Sequence, residues 1–304
     1  MNSSIKSTLH PSNPHRNRYD FPSLIKASSK LAEFVSVNKF GDESIDFFNP
    51  RAVIALNKAL LKKFYHIDFW EIPDGYLCPP IPGRAEYIHQ LAALLKGNDN
   101  TKKDSSFHEN IRCLDIGVGA NCIYPIIGIN AYGWAFVGSD VDQDALDAAQ
   151  KIIDNNVGLQ GKLELRYQSK RKFILHGIIQ KDEKFDLTIC NPPFHSSAAE
   201  AKKEAIKKLS NLKKRQIKHP LLNFGGQTSE IWCDGGEEKF ILKMIDESMS
   251  FQTSCTWFTT MVSKATHLKN IYAALDKIPN LKHQTIPMEM GNKVSRIVAW
   301  TYQL

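Results

Sequence analysis

Apolar residues recur along this chain with two different periods, and the change from one to the other divides it. Val53, Leu56, Leu60, Leu61 and Phe64 share one helical face. They follow Asn49 and Pro50, the residue types of an N-cap and a first helical position. After PPIPGR (Pro79 to Arg84) a second amphipathic helix carries Ile88, Leu91, Leu94 and Leu95. Between the two, HIDFWEIP (His66 to Pro73) reads as a short strand. From Arg112 onward the apolar residues gather in short runs instead. Arg112 to Ile116, Ala135 to Ser139, Lys162 to Tyr167 and Phe185 to Cys190 predict strands, with helical segments between most of them, notably Gln143 to Asn156. That alternation predicts an α/β fold with a parallel sheet and right-handed crossovers. Further on come a helix near Glu237 to Met249, a strand at Cys255 to Val262, a helix near Leu268 to Lys277 and two strands around MGNK (Met290 to Lys293).

The polar stretches mark the boundaries. Residues 1 to about 48 are polar and basic, and LHPSNPHRNRYDF (Leu9 to Phe21) is too rich in His, Pro, Asn and Arg for a core strand, so an arm or irregular module is expected. Lys96 to Asn110 holds almost no apolar residue and reads as a linker, which divides the chain into residues 1–100 and 101–304. The net charge of +7 fits an acidic partner without requiring one. The six cysteines form no C-x-x-C pair and have no histidine at zinc-ligand spacing, so neither a metal site nor a disulfide framework is expected. MNSSIKSTLH lacks the apolar run of a secretory signal, and Pro125, Gly128, Asn130 and Gly133 interrupt the most apolar stretch. These features predict a reduced, cytoplasmic protein without a membrane segment.

CLDIGVGANC (Cys113 to Cys122) places Gly117 and Gly119 directly after a predicted strand, where missing side chains let the backbone approach a ligand. Asp140 ends the next strand in FVGSDVD, at the spacing of an acid that accepts hydrogen bonds from ribose hydroxyls. Together they predict a site for an adenosine-containing cofactor. Cys122 stands where a dinucleotide fingerprint has its third glycine, which disfavours a pyrophosphate at the helix N-terminus. S-adenosylmethionine carries no phosphate, so the loop favours a methyl donor.

TICNPPFHSS (Thr188 to Ser197) sets two prolines after an apolar run; proline has no backbone donor, so the strand must stop at about Cys190. The chemistry that suits such a turn is methylation of an exocyclic adenine nitrogen, whose lone pair is delocalised into the ring. Accepting both N6 hydrogens favours a lone pair directed out of the ring plane. Asn191 offers a side-chain acceptor and the Pro192 carbonyl a second, with Pro193 keeping the segment extended. Phe194 supplies a face for an unstacked base. The proton can leave after transfer, so alignment rather than a strong base is required, and neighbouring His195 is assigned packing or RNA contact.

The order DIGVGA, SDVD, NPPF resembles the class I methyltransferases that act on planar amines. HPSNPHRNRYDF, PPIPGRAEYIH, CNPPFH, GGQTSEIWCDGGEEKF and SRIVAWTY are, more narrowly, similar to the RlmF family of adenine-N6 methyltransferases of 23S ribosomal RNA. The resemblance spans nearly the whole chain. It implies a Rossmann-like class I methyltransferase sheet, mostly parallel with an antiparallel C-terminal strand, joined to an N-terminal RNA-binding module. It implies S-adenosylmethionine as cofactor and 23S ribosomal RNA, or a ribosomal assembly intermediate, as partner. By motif position Arg84 would hold the cofactor carboxylate, Gly117 and the loop after it would pack on the methionine, and Asp140 would hold the ribose, with Asp115 and Gly119 in the same set. Against a more compact HPRN-type start this chain carries extra residues, so Arg16 and Arg18 are both candidates for RNA contact.

Ala201 to His219 carries eight Lys or Arg against one acid, Glu204, and could funnel a phosphate backbone toward Phe194, with Lys213, Lys214 and Arg215 at its centre. QSKRKF (Gln168 to Phe173), with Lys170 and Arg171, could close over the cofactor or contact RNA. Trp232 and Phe240 read as core, and Glu230 lines the base pocket by resemblance alone. The rival activities are methylation of a protein glutamine amide or of DNA adenine, and the rival class is a non-catalytic RNA-binding protein of the same fold.

Overall fold

The computed structural model describes residues 9–97, 110–193, 233–290 and 293–303. The first module contains helix α1 (Phe21–Ala27), capped by the Asp20 side chain on the Ser23 amide, and two short strands, β1 (Val35–Val37) and β2 (Glu43–Ile45), paired antiparallel. Helix α2 (Pro50–Tyr65) starts where expected, with the Asn49 side chain accepting from the Arg51 amide. Helix α3 (Ile81–Lys96) begins within PPIPGR, so Arg84 lies in its first turn.

The other elements follow in strand and helix alternation: β3 (Arg112–Ile116), α4 (Ile123–Tyr132), β4 (Ala135–Asp140), α5 (Gln143–Asp154), β5 (Leu163–Tyr167) and β6 (Phe185–Cys190). Then come α6 (Gly236–Ser248), β7 (Cys255–Val262), α7 (Leu268–Leu275), β8 (Lys282–Met290) and β9 (Lys293–Thr301). Seven strands form one sheet in the order β5-β4-β3-β6-β7-β9-β8. The first five are mutually parallel and β9 alone runs the other way, which is the expected mostly parallel class I methyltransferase sheet with one reversed strand near the C-terminus.

Both faces of the sheet are covered. In β9, Ile297 and Ala299 pack into one apolar cluster while Val298 and Trp300 pack into another, the period of two that strand geometry imposes. Leu60 and Leu61 of α2 and Ile88 and Leu91 of α3 join the first cluster with Ile126, Phe136 and Leu187. Packing is thus continuous from the first module into the sheet, and the division near residue 100 is a proposal about how the parts work. Most of the expected linker, residues 98–109, lies outside the described residues.

The expected strand at His66 to Pro73 does not form. His66 is left-handed (φ 55°) and closes α2, and the segment's backbone groups find a partner far along the chain. The Asn156 side chain accepts from the Asp68 and Phe69 amides at 2.9 and 3.2 Å and donates to the Phe69 carbonyl at 2.7 Å. With those groups satisfied, no neighbouring strand is needed.

The basic N-terminal stretch is docked through buried polar groups. The Glu86 carboxylate on α3, 2% exposed, accepts from the His10 amide, the Asn13 side chain and the Gln90 side chain. His15 Nε2 meets the Tyr65 hydroxyl at 2.8 Å, and His89 Nδ1 meets the Tyr132 hydroxyl at 2.6 Å. Burial lowers both His15 and His89 to about 4 from the usual 6.5; the nearby His89 adds to the shift of His15, and His10 adds to that of His89 while Glu86 opposes it. Folded and neutral above pH 6.5, they cost stability as pH falls from 6.5 toward 4, because the unfolded chain takes up protons first. Denaturant unfolding should lose up to about 2 kcal/mol per histidine between pH 7 and pH 5. A double His15→Gln, His89→Gln protein should show a much flatter profile; an equally steep one would place the pH dependence elsewhere.

Candidate active site

The register of the sheet assembles the site. Ile116 pairs with Ser139 on one side and Cys190 on the other, and Asp140 pairs with Tyr167. Gly117, Asp140, Gln168 and Asn191 therefore stand at or just past the C-terminal ends of four adjacent parallel strands. The chain order reverses at β3 and β6, and ligands of open α/β sheets bind at such a switch point. A cavity of about 560 Å³ opens there, lined by Arg84, Gly117, Gly119, Asp140, Asn191, Pro192 and Pro193 among others. Arg171, Lys172, Phe173 and Ile174 form another part of its wall.

The glycine loop turns back onto β4. Gly117 (φ 77°) and Val118 both donate to the Ser139 carbonyl, at 2.8 and 3.0 Å, and no atom lies within 4 Å of the place a Cβ on Gly117 would take. Backbone is thus presented to the cavity without a side chain. Asp140 accepts from Gly119 N at 2.9 Å and Asp142 N at 3.0 Å. Burial raises its pKa, while the donated N–H bonds oppose the shift. Asp115 is 0% exposed, and neither carboxylate oxygen has a partner among the described residues. Burial raises its pKa well above the carboxylate range; the Asp140 charge adds to this and the Arg84 charge opposes it.

Arg84 is 8% exposed, and among the described residues its guanidinium hydrogen-bonds neutral partners, the Tyr124 hydroxyl at 2.7 Å and the Met261 sulfur at 3.6 Å. Among the described residues no carboxylate pairs with it, so a buried cation at the cavity wall is left for an anionic group. One turn along α3, the fully buried Tyr87 hydroxyl bonds Thr259 Oγ1 at 2.9 Å and stands 3.5 Å from both the backbone N and O of Cys190. The Thr259 amide donates to Thr188 Oγ1 at 2.8 Å. These contacts hold the end of β6, from which Asn191 projects. The Asn191 side-chain oxygen is buried without a partner among the described residues.

Phe194, Lys213, Lys214, Arg215, His195, Glu230 and Trp232 lie outside the described residues. Lys170 is exposed near the cavity-lining Arg171. Arg16 and Arg18 are exposed in the first module, Arg18 paired with Asp42 at 2.8 Å. Phe240, read from sequence as core, is half-buried: it packs against the apolar cluster that holds Val298 and Trp300 and also lines the cavity with Cys233, Lys239 and Lys243. The α6 pattern offers a signal for this: Phe240 and Lys243 sit three apart, on one helical face. Among the described residues no three metal-ligating side chains converge, and no helix is long and apolar enough to cross a membrane.

A family model described as RNA methyltransferase matches residues 3–304. The chain belongs to this family. Within the family it is similar to the ribosomal RNA large subunit methyltransferase F of Cytophaga hutchinsonii, 53% identical over 300 residues that cover 98% of this chain and 92% of that one. A crystal structure of the human Mettl16 catalytic domain in complex with a MAT2A 3′UTR hairpin matches with a TM-score of 0.79 at 25% identity, covering 97% of this chain and 96% of that one. The N-terminal domain of human METTL16 in complex with SAH shares the fold, with a TM-score of 0.74 at 24% identity over 97% and 99% of the two chains. S-adenosylmethionine is the methyl donor of this RNA methyltransferase family.

Proposed function

We propose that this protein transfers a methyl group from S-adenosylmethionine to N6 of an adenosine in 23S ribosomal RNA, in the cytoplasm, on naked RNA or on a ribosomal assembly intermediate. The observation that carries the reading is the buried oxygen of Asn191 at the wall of the cavity, which has no partner among the described residues. A buried acceptor without a donor costs free energy in the resting protein, and a substrate amine would relieve that cost.

The residues present fit the methyl donor. Arg84, a buried cation with no carboxylate partner among the described residues, holds the methionine carboxylate, and Asp115, buried in β3 two residues before Gly117, supports that end of the site without lining the cavity. Gly117 and Gly119 give close backbone approach, and Asp140 accepts from the ribose hydroxyls. When bound, the cofactor supplies an electrophilic methyl group on sulfur. Asn191 and the Pro192 carbonyl accept the two N6 hydrogens of the adenine, which turns the nitrogen lone pair out of the ring plane. Pro192 and Pro193 fix that acceptor line, and Phe194 provides the stacking face. No side chain is required as a base, since the methylated nitrogen releases its proton afterward. Arg16, Arg18, Lys170, Arg171, Lys213, Lys214 and Arg215 contact the RNA backbone, those in residues 1–100 as part of an RNA-binding module.

The names of the relatives and the hairpin-bound human structure support an RNA substrate. The test is to supply labelled S-adenosylmethionine with 23S ribosomal RNA, partly assembled large-subunit particles, 16S ribosomal RNA or ribosomal proteins, all from cells lacking this protein. Ribonuclease-sensitive label in 23S RNA or its particles is expected. Label retained in protein would move the substrate to a glutamine amide, and no label in any fraction would favour an RNA-binding role without chemistry.

A further inference from the structure

The Arg171–Ile174 wall of the cavity is fastened from outside the site. Just beyond it, three consecutive backbone amides converge on one carboxylate. Ile174 N and Leu175 N donate to Glu247 Oε2 at 2.9 and 2.7 Å, and His176 N donates to the same oxygen at 3.2 Å. Ile174 N also lies 3.1 Å from Oε1. Glu247, in the last turn of α6, is 5% exposed, and no Lys, Arg or His pairs with it among the described residues. Its charge is thus held by backbone dipoles alone.

The rest of the segment is tied to itself. Gln168, 5% exposed, donates to the His176 carbonyl at 2.9 Å and accepts from the Lys170 amide at 3.1 Å, while its own amide donates to the Asp140 carbonyl at 2.7 Å. The loop from Gln168 to His176 is therefore closed at both ends. One end is fixed to the strand that carries Asp140 and the other to Glu247. Between the two fastenings stand Arg171, Lys172 and Phe173, which have no regular secondary structure to hold them against the cavity.

We propose that Glu247 is a positioning residue for the cofactor site, setting the place of the Arg171–Ile174 wall through the amides of residues 174–176. The inference rests on the cavity being the cofactor site. Glu247 touches neither cofactor nor substrate in this role. Replacing it with glutamine would leave one neutral and weaker acceptor oxygen for three buried N–H groups, with an NH2 in place of the second oxygen, and the loop would open to hydrate them.

The experiment pairs hydrogen exchange with kinetics on the full chain. In Glu247→Gln, amides 174–176 should exchange faster than in wild type while those of β3 and β4 do not change. The KM and Kd for S-adenosylmethionine should rise roughly ten- to a hundred-fold with kcat changed little, because displacing a positioning wall chiefly costs binding. Should the Gln protein fail to fold, Glu247→Asp keeps the charge one methylene farther away and should give the same split, smaller in size. A uniform loss of thermal stability with unchanged cofactor Kd would overturn the proposal and leave Glu247 a purely structural anchor. Wild-type protein that binds no S-adenosylmethionine would instead overturn the cofactor reading, and protection of amides 174–176 in that same protein would still report the clamp.

Discussion

Asn191→Ala protein is expected to bind S-adenosylmethionine with an affinity close to wild type and to transfer methyl about 10²–10³-fold more slowly, the usual scale for losing one polar group that acts on the reacting centre. The two halves of that result follow from separate parts of the site. The cofactor contacts proposed above come from Arg84, the glycine loop and Asp140, whose hydrogen bonds are to other groups than Asn191. The lost group is a buried acceptor with no partner among the described residues, assigned above to a donor on the substrate. Alanine also leaves the Pro192 carbonyl as a single acceptor, which holds the amine less firmly in the geometry that turns its lone pair out of the ring plane. Asn191→Asp retains an acceptor oxygen and should recover part of the rate. Single-turnover kinetics with saturating cofactor separates the cases; a wild-type rate for the alanine protein would remove Asn191 from the mechanism.

Asp140→Ala should show the opposite split, a cofactor Kd raised on the order of 10²-fold, as expected for losing two charge-assisted hydrogen bonds to ribose hydroxyls. The structure adds a second cost, since the same carboxylate accepts from Gly119 N and Asp142 N. Without it the glycine loop loses one of its fastenings, although Gly117 and Val118 remain bonded to the Ser139 carbonyl. Asp140→Asn keeps one acceptor oxygen and should fall between alanine and wild type. Isothermal titration with S-adenosylmethionine and its demethylated product reads the effect directly. Alanine protein that binds both as tightly as wild type would show that the ribose lies elsewhere.

The parts of this account that were legible in the sequence share a physical cause. β6 ends at Cys190 because two prolines remove the donors a ladder needs, and β7 spans Cys255–Val262 because a buried parallel strand is a bounded apolar run. The grouping of Gly117, Asp140 and Asn191 was legible for a related reason. Each follows a strand, and a parallel sheet brings all such positions to one edge. What stayed hidden depends on partners remote in the chain. Asn156 satisfies Asp68 and Phe69 and so removes a strand the local pattern favoured. Tyr87 reaches Thr259, and Glu247 reaches Ile174, across separations that no local period encodes. Arg84 entered the expected site through family resemblance; its burial, and its lack of an anionic partner among the described residues, became visible only in the fold.

The most direct test of the central claim is nucleoside analysis by mass spectrometry of 23S ribosomal RNA from cells lacking this protein, treated with the purified protein and S-adenosylmethionine. The account predicts N6-methyladenosine at one position, absent from the same RNA treated with Asn191→Ala protein. A methyl group on any other atom, or equal N6-methyladenosine from the alanine protein, would contradict it.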